Sequence, residues 1–107
     1  MKKIVITEEQ LNKIVEQTHH DETYFDTFSE AVQTARKRIE DRGFEIDQDD
    51  WWSEVNVGQG RPKDGQTTRM TIGLIKNDKP QKKALHIQVY NRGHQFRNNY
   101  ELNYYVS

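Results

Sequence analysis

The hydrophobic period of this chain changes at Gly43, and that change constrains the fold more than any other feature. Before it, Phe28, Ala31, Val32, Ala35 and Ile39 recur at helical spacing, with Gln33, Arg36, Lys37 and Glu40 between them. Residues three and four apart share one face of a helix, so the pattern makes one apolar stripe and one solvated face. Thr27 followed by Glu30 is a capping box, which offers partners to the unpaired amides of a first turn. Gly43 follows Arg42 where a left-handed residue ends a helix. The spacing therefore predicts a helix from Phe28 to Arg42.

Beyond Gly43 the period is two, as in strands. Trp51 to Val57 reads as a strand, with Trp51, Ser53, Val55 and Val57 on one face and Trp52, Glu54 and Asn56 on the other. Arg69–Lys76 groups Met70, Ile72 and Leu74; Ala84–Tyr90 groups Leu85, Ile87 and Val89; Tyr100–Val106 groups Tyr100, Leu102, Tyr104 and Val106. Asp47–Asp50 is a polar interruption, Gly58–Thr67 is expected to be a long mobile loop, Asn77–Pro80 has turn chemistry, and Asn91–Asn98 is a further loop. The expected fold class is α+β: an amphipathic helix packed on a roughly four-stranded antiparallel meander. The face turned from the helix would carry Thr71, His86, Gln88, Tyr90, Glu101, Asn103 and Tyr105.

Ahead of this domain, Thr7 and Gln10 form another capping box, and Leu11, Ile14 and Val15 make a narrow apolar stripe. A helix over about residues 8–17 is too short to be stable alone and needs a surface to dock on. The polar run after it reads as a linker. The expected organisation is a short helix and linker over 1–22, then one α+β domain over 23–107.

With 107 residues there is room for a single domain. Charged residues are 31% of the chain and apolar residues 33%, a balance polar enough to suggest disorder. The aromatic residues and the alternation argue instead for a thin but real core. The absence of cysteine excludes disulfides, thiol catalysis and thiolate zinc sites. No apolar run is long enough to span a bilayer, so a soluble, cytoplasmic domain without membrane contact is expected. Residues 1–50 carry 13 acidic and 7 basic side chains, whereas 51–107 carry 4 and 9. The two halves are most simply read as different surfaces rather than as a dipole aimed at an acidic partner.

Several constellations suggest chemistry. Gly60 to Thr67 has the glycine spacing of a phosphate-binding loop, but Gln66 stands where that chemistry needs lysine, and a strand follows instead of a helix. His19-His20-Asp21-Glu22 offers four metal-ligating side chains, but adjacent residues converge poorly on one ion, so no metal site is assigned. His86, His94 and Glu101 could act as acid–base groups, yet a flat sheet face provides no water-excluding cleft, and no catalytic residue or cofactor is assigned. Of the adjacent Trp51 and Trp52, one is expected in the core; the other is either exposed as a binding anchor for a partner or covered by the chain's own N-terminal helix. Tyr90, Tyr105 and His86, with Arg69, Arg92 and Arg97, combine flat rings and positive charge, the ingredients of single-stranded nucleic-acid binding.

The opening Lys-Lys-Ile-Val-Ile-Thr-Glu-Glu-Gln-Leu-Asn-Lys-Ile-Val, residues 2–15, resembles the leader of many small uncharacterised tailed-phage proteins. The segments from Leu85 to Asn91 and from Tyr100 to Tyr105 also resemble phage-borne proteins. The resemblance implies an accessory or virion-associated role in a host cytoplasm or virion, and carries over no catalytic residues. The expected function is non-enzymatic protein binding or self-association. The candidate contacts are His86, Gln88, Tyr90, Tyr105, Arg69, Arg92 and Trp52, with Leu11, Ile14 and Val15 as a docking helix; single-stranded nucleic acid is the alternative partner.

Overall fold

The computed structural model describes residues 23–107. The Thr7-capped helix, its Leu11, Ile14 and Val15 stripe, and the His19–Glu22 run lie outside the described residues. The rest is an α+β fold with five antiparallel strands. In chain order these are β1 (Tyr24–Phe25), α1 (Phe28–Asp41), β2 (Glu45–Ile46), α2 (Gln48–Trp51), which continues into a π-helical turn (Trp52–Asn56), β3 (Thr67–Lys76), β4 (Lys79–Asn91) and β5 (Tyr100–Val106). The strand order across the sheet is β1-β5-β4-β3-β2.

Helix α1 forms where the period predicts it. The Thr27 side chain accepts the Glu30 N–H at 3.0 Å and caps the first turn. At the other end Gly43 adopts φ +95°, so that its N–H reaches Glu40 O and the Phe44 N–H reaches Ile39 O. This double closure satisfies the last carbonyls and turns Phe44 back onto the core. Ala31, Val32, Ala35 and Ile39 are buried against the sheet, where they meet Met70, Ile72, Leu74, Leu85, Ile87, Val89 and Leu102. Burying a side chain such as Ile39 contributes about 1.5–3 kcal/mol, and truncating it to alanine would cost about 2–5 kcal/mol once the cavity is counted.

The three long strands pair in the order expected of a meander. β3 and β4 meet in a two-residue turn at Asn77-Asp78, both with positive φ, the twist that suits a tight hairpin. Near this turn, between Gly73 and Ile75, the register shifts, and Leu74 faces the three residues Gln81, Lys82 and Lys83.

The expected strand over Trp51–Val57 is not formed; this stretch is helical. Asp47 decides it. Its Oδ1 accepts the N–H groups of Asp49 and Asp50 at 3.0 and 3.1 Å and nucleates the turn. Trp51 and Val55, four residues apart, then face the core, and the Arg36 guanidinium lies 5.0 Å over the Trp51 ring. Trp51 is the buried tryptophan and Trp52 the exposed one. The four-strand expectation is corrected accordingly. One strand is lost to a helix, and the two-residue β1 and β2 are gained at the sheet edges.

The two carboxylates on the free side of this helix close one edge of the sheet. Asp50 Oδ2 accepts the Gly73 N–H at 2.8 Å, Glu54 Oε1 accepts the Thr71 N–H at 3.0 Å, and the Asp47 N–H donates to Gly73 O. A side chain at Gly73 would place its Cβ 2.8 Å from Asp50 Oδ2, which explains a glycine in the middle of a strand. No helix of the described residues is long and apolar enough to cross a membrane.

Candidate binding face

Because α1 covers one face of the sheet, the other face of β3, β4 and β5 is left open among the described residues. Register places its side chains in rows. Thr71, His86 and Tyr105 form one row; Arg69, Gln88 and Asn103 form the next; Thr67, Tyr90, Glu101 and Tyr24 form the third. Every residue expected on this face is there, and Thr71, Tyr90, Asn103 and Tyr105 are exposed.

In the first row the His86 and Tyr105 rings stack, with centroids 4.8 Å apart and planes 22° from parallel. His86 Nδ1 also lies 3.3 Å from the Thr71 hydroxyl, so the imidazole is held from both sides. Such a pair forms a preoriented flat platform. The second row contributes one cation and two amides able to donate and accept. Five of the seven candidate contacts, His86, Gln88, Tyr90, Tyr105 and Arg69, therefore form one surface.

The other two lie elsewhere. Trp52 projects from the π-helical turn, not from the sheet rows, and is 62% exposed. Arg92 is occupied internally. Its guanidinium lies between the rings of Tyr24 and Phe96, 4.2 and 4.7 Å from their centroids, and donates to the carbonyls of Arg97 and Asn98. It clamps β1 to the β4–β5 loop, a structural role that leaves little for a ligand.

Beneath that loop lies a polar hub that sequence reasoning missed. The Asn91 side chain is buried and makes four hydrogen bonds. Nδ2 donates to Pro62 O at 3.0 Å and to Asp64 Oδ1 at 3.3 Å, while Oδ1 accepts from Gly93 N at 2.9 Å and from Asn99 Nδ2 at 2.8 Å. Main-chain bonds from Gly65 N–H to Asn91 O and from Asn91 N–H to Gln66 O, and the Thr68 hydroxyl donating to Gly60 O, complete the attachment. The Gly58–Thr67 loop, expected to be mobile, is thus tied to the start of the β4–β5 loop through Asn91, and again through the Asp64–His94 contact. The inward–outward alternation of β4 was the available signal, since it turns Asn91 inward after Val89.

The acid–base candidates His86, His94 and Glu101 do not come together in one place. Glu101 is in register with Tyr90, four residues along β4 from His86, which separates them by about 13 Å. His94 pairs instead with Asp64, Nδ1 to Oδ2 at 2.7 Å, in the exposed loops. The His94 ring, and then its backbone N–H, hold the Asp64 pKa below its ordinary 3.8. Two depressions of about 570 and 380 Å³ lie on the α1 side, the first lined by Phe25, Gln33 and Lys37, the second by Thr27, Arg61 and Tyr100. Neither is lined by a histidine, and neither opens on the sheet face. No group of three or more metal-ligating side chains gathers among the described residues. No protein-family model matches the chain, and no curated protein or solved structure matches it significantly.

Proposed function

We propose that this chain is a non-enzymatic protein-binding module that presents the open face of its sheet to a partner. The observation that carries this reading is the face left open among the described residues, where a stacked His86–Tyr105 platform, Tyr90, Arg69, Gln88 and Asn103 form contiguous rows. Exposed flat rings beside an arginine and amides are the composition of contact surfaces that bury aromatic anchors. The resemblance of residues 2–15 to phage leaders favours an accessory or virion-associated setting, in a host cytoplasm or a virion.

The test is capture of the partner by the full chain, compared with Arg69→Glu and Tyr90→Ala on the face and Gln33→Ala on the outer side of α1. The face variants should lose the partner and the α1 variant should keep it. Equal capture by all of them would overturn the assignment. The stacked pair and the lysines of the β3–β4 hairpin, Lys76, Lys79, Lys82 and Lys83, favour single-stranded nucleic acid as a second reading. That reading requires binding of a labelled oligonucleotide that weakens steeply with salt. Absence of binding at low salt removes it.

A further inference from the structure

The two edges of the sheet are treated differently. The β3 edge is closed by β2, by the carboxylates of Asp50 and Glu54, and by the Asp47 amide. Among the described residues the β5 edge is covered by β1 at Tyr100 and Glu101 alone, with Thr23 O accepting the Leu102 N–H. Further along, the Ala84–Ser107 pair exchanges both of its main-chain hydrogen bonds. Alternation then turns the N–H and C=O of Asn103 and Tyr105 toward β4 and those of Tyr104 and Val106 away from it. Among the described residues no strand meets Tyr104 or Val106.

Natural edges are normally protected from pairing by lysine, proline, inward-pointing charge or a bulge. From Leu102 to Ser107 the sequence is Leu-Asn-Tyr-Tyr-Val-Ser, with none of these and with three residues of high strand preference. We infer that the β5 edge pairs with the β5 edge of a second copy of this chain, antiparallel about a two-fold axis through Tyr105. The register follows from the hydrogen-bonding alternation. Placing Tyr104 opposite the partner's Val106, and Val106 opposite the partner's Tyr104, makes four main-chain hydrogen bonds without disturbing β1. Shifting by two residues in one direction requires the Leu102 N–H, already bonded to Thr23. Shifting in the other centres the contact on Val106, the last residue of β5, and leaves a single bonded pair within the strand.

A two-fold edge contact sets each residue against itself or a near neighbour, and this edge opposes no like charges because it carries none. On the open face the two Tyr105 side chains meet in a non-hydrogen-bonded pair, the closer of the two antiparallel geometries. The stacked His86–Tyr105 platforms then join into one row of four rings. The contact is small, so the dimer is reversible and its population rises with concentration. It is independent of the partner proposed for the open face, which is tested at other residues.

Because the chain contains no cysteine, one introduced thiol reports the register. Full-length Tyr105→Cys should cross-link to itself under mild oxidation, since the opposed Cα atoms would be about 4.5 Å apart. Asn103→Cys, which faces the partner's Ser107, should not. Sedimentation of the unmodified chain should move from 12.8 kDa toward twice that mass with concentration. Val106→Pro removes an edge-facing donor that β4 does not use, and should weaken association about tenfold or more. A chain that stays monomeric, or Asn103→Cys cross-linking in preference to Tyr105→Cys, would overturn the inference. Amides of Tyr104 and Val106 protected from exchange equally at every concentration would also overturn it, assigning the edge to residues 1–22 instead.

Discussion

Replacing Asn91 by alanine removes a side chain whose two donors and two acceptor positions are all in use. Of its four partners, Asn99 and the half-exposed Asp64 carboxylate can turn to water. The Gly93 N–H and the Pro62 carbonyl belong to buried residues and are left without a partner. An orphaned buried group costs about 1–3 kcal/mol, so the two together should cost about 2–6 kcal/mol. A domain of this size has a total stability on the order of 5–15 kcal/mol. At about 4–8 °C per kcal/mol, the melting temperature should fall by roughly 8–48 °C.

Asn91→Asp separates shape from hydrogen bonding. It keeps the acceptor for Gly93 and Asn99, but sets a carboxylate oxygen against the Pro62 carbonyl and the Asp64 carboxylate. At neutral pH it should be at least as unstable as Asn91→Ala. It should recover as pH falls through the carboxyl range, because the protonated acid can again donate to Pro62. The assay is urea unfolding at pH 7 and pH 4, with proteolysis of the 58–67 loop as a local readout. An Asn91→Ala chain that loses less than about 1 kcal/mol would refute the assignment of Asn91 as the tie between the two loops.

Further expectations concern single features. Asp50→Ala leaves the Gly73 amide without its carboxylate and should cost about 1–2 kcal/mol in urea unfolding, while Gly73→Val should be worse, because its side chain occupies the position of Asp50 Oδ2. Asp78→Gly relieves a left-handed residue at φ +62° in the hairpin and should raise stability by about 0.5–1 kcal/mol. The Asp64 carboxyl should titrate below 3.8 by NMR, and His94→Ala should move it back toward that value. Since its folded pKa is depressed, the Asp64–His94 contact stabilises above the ordinary carboxyl pKa and is lost as pH falls through the lower, folded one.

How much of this was legible in the sequence depends on how local the deciding interaction is. Helix α1 was legible to the residue at its cap, because Thr27, Glu30 and Gly43 act within one turn of themselves. The inward sets of β3, β4 and β5 were legible because alternation is fixed by the strand backbone. The Trp51–Val57 stretch was misread because Trp51 and Val55 satisfy a period of two and a spacing of four equally well. What distinguishes them is Asp47 as a cap and Asp50 and Glu54 at helical spacing, and the value of those carboxylates becomes clear only once β3 is beside them. The Asn91 hub was hidden for the same reason: three of its four partners are eight to twenty-nine positions away in sequence. The open face could be drawn in advance, but not the stack within it, since the register between β4 and β5 sets which ring meets His86.

The stack connects the face to the edge, and that connection can be broken at one residue. Tyr105 lies at the end of its row, with His86 on one side and the unpaired edge on the other. Its ring would be free to choose rotamers if His86 did not hold it, so part of the ordering cost of a contact at the edge is met within the monomer. His86→Ala removes the ring contact, worth about 0.5–1.5 kcal/mol, without touching the edge backbone. Monomer stability should change by that amount or less, because both rings are on the solvent side of the sheet. Self-association should weaken by up to about tenfold, and His86→Phe, which restores a flat ring, should recover most of it. If association is unchanged in His86→Ala and still lost in Val106→Pro, the edge acts through its main chain alone, and the aromatic row serves only the partner of the open face.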